Sequence, residues 1–155
     1  MPKTLVLFHC RTGPTASLAD AVTEGARSVR FSEVDVRCMG QSSGSHRVLA
    51  GSGELAAYDA IIVGAPPEGA ELVSELTAVL DQAGPMPNKV GAAFTAPGAE
   101  ADALLWAVLR DMGRQRMILV PAMDATDAAA AADLGRRVAE VTAWITHARS
   151  HHHSH

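Results

Sequence analysis

The segment of this chain whose residue types and spacing could do chemistry is Cys10-Arg11-Thr12-Gly13-Pro14-Thr15. An apolar run from Thr4 to His9 ends there, and a helical pattern from about Thr15 to Val29 follows at once. Strand, tight loop and helix start together make a pocket for an anion. The free N–H groups of the first helical turn and the positive end of the helix dipole face the same point. Thr12 and Thr15 offer hydroxyl donors, and Gly13 lets the backbone come close to a ligand. Pro14 has no N–H to offer. The chemistry predicted from these residues is phosphate binding.

The elements that would position the loop follow from hydropathy periods. Thr4 to His9 reads as a buried strand. Glu33 to Met39 alternates with period two, which suits a strand nearer a sheet edge. Gln41 to Gly53, rich in Ser and Gly, reads as a loop, and Glu54 to Tyr58 as a short helical turn. Ala60 to Ala65, Lys89 to Thr95 and Met117 to Val120 read as the third, fourth and fifth strands. Between and after them run helices with apolar stripes: Leu72, Leu76, Val79 and Leu80; Leu104, Leu105, Val108 and Leu109; and Leu134, Val138, Val141 and Ile145. This alternation predicts an α/β fold, a doubly wound five-stranded parallel sheet of order 2-1-3-4-5 with helices on both faces. Ligands of such sheets sit beyond the carboxyl ends of the strands, where the strand order reverses. Three loops would then face the site: Cys10 to Thr15, Pro66 to Glu71, and Thr95 to Glu100.

The chain has 155 residues, enough for one domain with a sizeable core. A net charge of −4 argues against nucleic acid or a membrane surface as partner. No stretch reaches the length of a membrane span, and the N-terminus lacks a signal-peptide pattern. Two cysteines, Cys10 and Cys38, make no disulfide framework and suit a reducing compartment, so the expected location is cytoplasmic. Residues 1–148 read as the domain. The ending 149–155, rich in histidine, looks like an expression-tag remnant, with a native metal-binding tail as the alternative.

Taken in order, the three loops resemble those of flavodoxin-like flavoproteins, nearest the tryptophan-repressor-binding-protein-like NAD(P)H:quinone oxidoreductases. Cys10-Arg-Thr-Gly-Pro-Thr15 resembles that family's phosphate loop, typically Ser-x-Thr-Gly-Asn-Thr. Tyr58-Asp-Ala-Ile-Ile-Val-Gly-Ala-Pro66 resembles the strand leading into its second flavin loop. Lys89-Val-Gly-Ala-Ala-Phe-Thr95 resembles the strand before its third, and Arg116-Met-Ile-Leu-Val-Pro121 its fifth strand. The resemblance implies FMN as cofactor, NAD(P)H as reductant, a small-molecule quinone or redox partner, and a homodimer or homotetramer. It implies a cofactor-binding loop of Cys10, Arg11, Thr12, Gly13, Pro14 and Thr15, in which Thr12, Gly13, Thr15 and the helix N-terminus hold the phosphate. Contacts to the ring would come from Pro66, Pro67, Glu68, Gly69, Thr95, Ala96, Pro97 and Gly98.

The departures from the family fall in the loops. Cys10 and Pro14 stand where the family has Ser and Asn, which removes a hydroxyl and an N–H worth ~1–2 kcal/mol each toward a phosphate. Gly69 stands where an aromatic beside the flavin ring is usual. Glu68, Glu71 and Glu100 add negative charge near an anionic cofactor. The alternative function is therefore a flavodoxin-like fold that has lost its flavin and serves as a binding or assembly partner. Other chemistries fit less well. A cysteine-phosphatase loop would need Arg six residues after Cys10, and Ala16 stands there. Gly51-Ser-Gly53-Glu-Leu-Ala56 matches a dinucleotide fingerprint by letter but follows no clear strand. His46 and His147 have no Cys or carboxylate at ligand spacing, so no metal is expected. Asp124 is expected to cap the last helix. Hydride transfer would be the work of the flavin itself and requires no catalytic side chain.

Overall fold

The structure is a computed structural model that describes residues 1–9, 13–40, 46–66, 70–121 and 127–153. Three runs of apolar residues form the centre of a sheet: β1 (Lys3–His9), β4 (Ala60–Ala65) and β5 (Val90–Thr95). Every residue of β4 and β5 is buried, the signature of parallel strands covered on both faces. Around them lie β2 (Glu33–Met39), β3 (Arg47–Val48) and β6 (Ile118–Leu119). All pairings are parallel, and the order is β3-β2-β1-β4-β5-β6.

Among the described residues the sheet thus has six strands, not the five expected, and the Glu33–Met39 strand is not its edge. The extra strand lies inside the segment that reads as a loop. It pairs Arg47 with Arg37 and Val48 with Cys38, and the Leu49 N–H donates to the Cys38 carbonyl at 2.9 Å. Two exposed residues carry no hydropathy period, so nothing in the sequence signals them. Glu54 holds this edge. Its carboxylate accepts from Arg37 Nε at 2.9 Å and from the Ala50 N–H at 2.8 Å. Cys38 is disulfide-bonded, which corrects the reading of two reduced cysteines; the other cysteine of the sequence, Cys10, lies outside the described residues.

Alternation along the strands divides the core into two layers. Leu5, Leu7, Ile61, Val63 and Ala93 face α2 (Ala70–Ala83) and α3 (Ala101–Arg114). Val6, Phe8, Ile62, Ala92 and Phe94 face α1 (Gly13–Arg27) and α4 (Ala128–His153). α1 begins at Gly13, two residues before the expected start, because its first turn needs no intrahelical N–H and so accepts Pro14. α4 continues without a break through the histidine-rich ending as far as His153. Asp124 lies outside the described residues. The cap on α4 is Asp127, whose carboxylate accepts from the Ala130 N–H at 2.8 Å.

α1 and α4 touch backbone to backbone through two glycines. A Cβ on Gly25 would lie 1.8 Å from the Ala132 carbonyl oxygen, and one on Gly135 would lie 1.9 Å from that of Val22. Gly25→Ala must force the helices apart. Overpacking of this kind costs roughly 1–3 kcal/mol, and the rigid backbone contact places it at the upper end. Thermal unfolding of the variant is expected to show a Tm several degrees lower.

α2 and α3 meet at a carboxyl pair. Asp111 is buried, one of its oxygens has no hydrogen-bond partner, and Asp81 lies beside it. Burial, followed by the hydrogen bond and charge of Asp81, pushes the Asp111 carboxyl up from 3.8 to about 6. Because the folded value is raised, the contribution is fully present below about pH 4 and is lost as pH rises through about 6. Asp111→Asn keeps the shape without the charge. It is expected to be more stable than the parent at pH 7, by on the order of 1–3 kcal/mol, with the difference vanishing near pH 4 in denaturant titrations.

Candidate functional site

Parallel strands place all their carboxyl ends on one edge. Phe8 stands opposite Gly64, Gly64 opposite Phe94, and Ala65 opposite Thr95. The chain therefore leaves β1, β4 and β5 at neighbouring points. The strand order reverses at β1, which runs on to β2 on one side and lies against β4 on the other. This is the crevice where ligands of doubly wound sheets bind.

Of the residues singled out from the sequence, Gly13, Pro14, Thr15, Pro66, Thr95, Ala96, Pro97 and Gly98 are brought to this edge. Gly13 opens α1, Pro14 is exposed in its first turn, and Thr15 is fully buried. Pro66 is buried directly after β4. Thr95 ends β5 and is buried, with its hydroxyl donating to the Ala96 carbonyl at 3.1 Å. Ala96 is buried, whereas Pro97 and Gly98 are exposed. Cys10, Arg11, Thr12, Pro67, Glu68 and Gly69 lie outside the described residues.

Thr15 is the most telling of these side chains. Its Oγ1 is buried and has no hydrogen-bond partner. A buried hydroxyl without a partner costs roughly 1–3 kcal/mol, so a structure that keeps one has a use for it or fills it with a ligand. The orphan lies in the first turn of α1, among backbone N–H groups that also lack intrahelical partners. Gly64 makes this placement possible. A Cβ there would fall 2.8 Å from the Thr15 methyl group and 2.6 Å from the Phe94 ring. The helix start and the central strand approach closely because residue 64 has no side chain.

His9 was not legible as a site residue; its only signal is a histidine at the end of an apolar run. It is 2% exposed, and its Nε2 lies 2.8 Å from the Glu75 Oε2 on α2. His46, which sequence spacing left isolated, lies 3.2 Å from the Asp20 carboxylate and packs edge-on against Phe8 at 5.0 Å. Trp106 is half exposed on α3. Glu71 is exposed at the start of α2, and Glu100 caps α3 through its backbone.

Two groups with displaced pKa values, Tyr58 and Lys89, lie at the other end of the sheet. Burial, reinforced by a 2.8 Å hydrogen bond to Asp35, pushes the Tyr58 hydroxyl up to about 12. Burial lowers the Lys89 ammonium, which donates to the carbonyls of Tyr58 and Ala56. Tyr58 precedes β4 and Lys89 precedes β5, so both belong to the amino edge of the sheet. Among the described residues no group of three or more His, Cys, Asp or Glu side chains could hold a metal ion. No helix among them is long and apolar enough to cross a membrane.

Comparison with known proteins agrees with this geometry. An NAD(P)H dehydrogenase (quinone) of Azorhizobium caulinodans is 33% identical over 141 residues, covering 77% of this chain and 70% of its own length. One from Cupriavidus metallidurans matches to the same extent. The chain belongs to the NAD(P)H dehydrogenase (quinone) family. Its fold is flavodoxin-like: a flavodoxin from the domain Archaea superposes with a TM-score of 0.64 at 21% identity, over 90% of this chain and 98% of the other. A diflavin flavoprotein from Nostoc sp. superposes with a TM-score of 0.64 at 15% identity, over 97% of each chain. No family model matches the sequence.

Proposed function

We propose that this chain binds FMN at the carboxyl edge of its sheet and uses it to reduce a quinone at the expense of NAD(P)H. The observation that carries the reading is the buried, unpartnered Thr15 hydroxyl in the first turn of α1. It is a donor waiting in an anion site, and the donor set suits a phosphate: a hydroxyl, helix N–H groups and the positive end of a dipole. Thr12 and Arg11 would complete the cradle from the loop before the helix. Backbone groups at Pro66 and from Thr95 to Gly98 would line the ring, with Pro67, Glu68 and Gly69 between strand and helix. When bound, the flavin would relay two electrons between nicotinamide and quinone.

The protein's own part is then positioning. The net reaction joins a quinone, NAD(P)H and one solvent proton to give a hydroquinone and NAD(P)+. Residues at the edge would hold the phosphate, and backbone groups there would orient the ring. Assembly as a homodimer or homotetramer and a cytoplasmic location belong to the same reading. The exposed Trp106 and Trp144 are apolar surface that such an assembly could cover.

Pro14 favours a second reading. Exposed in the first turn, it contributes no N–H, and a fold with a weakened cradle could serve as a binding partner without flavin. The visible spectrum separates the two. On the first reading the purified protein, or the protein titrated with FMN, shows flavin absorption and quenched flavin fluorescence at 1:1 stoichiometry. A colourless protein that leaves added FMN unquenched establishes the second.

Thr15→Val sharpens the test because its two effects have opposite signs. Removing an unsatisfied buried hydroxyl at nearly constant volume is expected to stabilise the flavin-free protein by about 1 kcal/mol. Removing a donor to a phosphate is expected to weaken FMN binding by roughly 10–100-fold. Denaturant melts and fluorescence titration of the same variant measure both.

A further inference from the structure

The end of β1 is tied to α2 by a side-chain pair that phosphate binding does not use. His9 is the last residue of β1 and is almost fully buried. Its Nε2 meets the Glu75 Oε2 at 2.8 Å, and the Glu75 side chain is 54% exposed. Behind the ring stands Gly40, with φ +96°, directly after β2. A Cβ there would lie 3.1 Å from the His9 Cε1. The imidazole is therefore clamped between the backbone that follows β2 and a carboxylate on α2.

The positions of these two residues give the clamp its meaning. His9 immediately precedes the loop that would hold the phosphate, and Glu75 lies in the second turn of the helix that follows the second loop. β1 and β4 are already joined by their ladder up to Phe8 and Gly64. The ladder between the two strands ends there. The bond from His9 to Glu75 crosses from the strand feeding one loop to the helix leaving the other. A carboxylate that spends half its surface in water gains little from burial, so its contribution is directional.

We propose that His9 and Glu75 are positioning residues whose hydrogen bond fixes the end of β1 against α2, and with it the relative placement of the two elements that flank the binding edge. The proposal rests on the FMN reading for the identity of the ligand. The tie itself does not depend on that reading.

Glu75 is the residue to vary, because its exposure makes folding of the variants secure. FMN affinity would be followed by fluorescence quenching, and backbone amide exchange over residues 70–76 would be measured without ligand. Glu75→Ala is expected to raise the FMN Kd roughly tenfold and to speed exchange at the start of α2. Glu75→Gln, whose amide can still pair with imidazole, is expected to restore the Kd to within roughly threefold of the parent and to return exchange to the parent rate. An unchanged Kd in Glu75→Ala overturns the positioning role, even with faster exchange. A Glu75→Gln variant as weak as Glu75→Ala overturns it too, since charge and not the bond would then be responsible. If the parent protein itself binds no FMN, the FMN reading fails and exchange alone decides: faster exchange in Glu75→Ala supports the tie, and unchanged exchange overturns it.

Discussion

The constraint on which the rest depends is that a parallel sheet with apolar residues on both faces must be covered twice. Every residue of β4 and β5 is buried, and no strand can return beside its neighbour without a crossover. Two helices on each face meet that demand. The same crossovers carry every strand's carboxyl end to one edge and every amino end to the other. The location of a binding site thus follows from a packing requirement before any functional side chain is considered.

Covering the sheet also sets distances, and glycine decides the shortest of them. Gly25 and Gly135 let α1 and α4 meet backbone to backbone on one face. Gly64 lets the first turn of α1 press against β4, which drives Thr15 inward and strands its hydroxyl. The unsatisfied donor is therefore a consequence of close packing at the switch point. On the FMN reading, cost and function would coincide there: the atom that destabilises the empty fold is the one a phosphate would satisfy.

The charged groups divide along the same axis. Tyr58 and Lys89, whose titration burial displaces, lie at the amino edge, and the Asp81–Asp111 pair lies between α2 and α3. These groups bear on stability as a function of pH. The carboxyl edge instead carries backbone donors, hydroxyls and the clamped His9. An edge of that kind suits holding a cofactor that brings its own redox chemistry.

The alternation of apolar runs and amphipathic stripes determined by itself the α/β class, the parallel sheet, the relative order of the main strands and the edge at which the loops gather. Burial on both faces writes those features into local hydropathy, and loop motifs such as Thr12-Gly13-Pro14-Thr15 are contiguous in sequence. Tertiary structure alone decided the rest. β3 is two exposed residues paired across the sheet, with no period to read, and its presence turns the expected edge strand into an interior one. The capping role passes to Asp127 because caps depend on where a helix starts, to the residue. The pairing of His46 with Asp20 and that of His9 with Glu75 join residues far apart in the chain. The isolation of the Thr15 hydroxyl depends on a glycine on another strand. Partnership between distant side chains is a property of distance in space, and sequence spacing does not encode it.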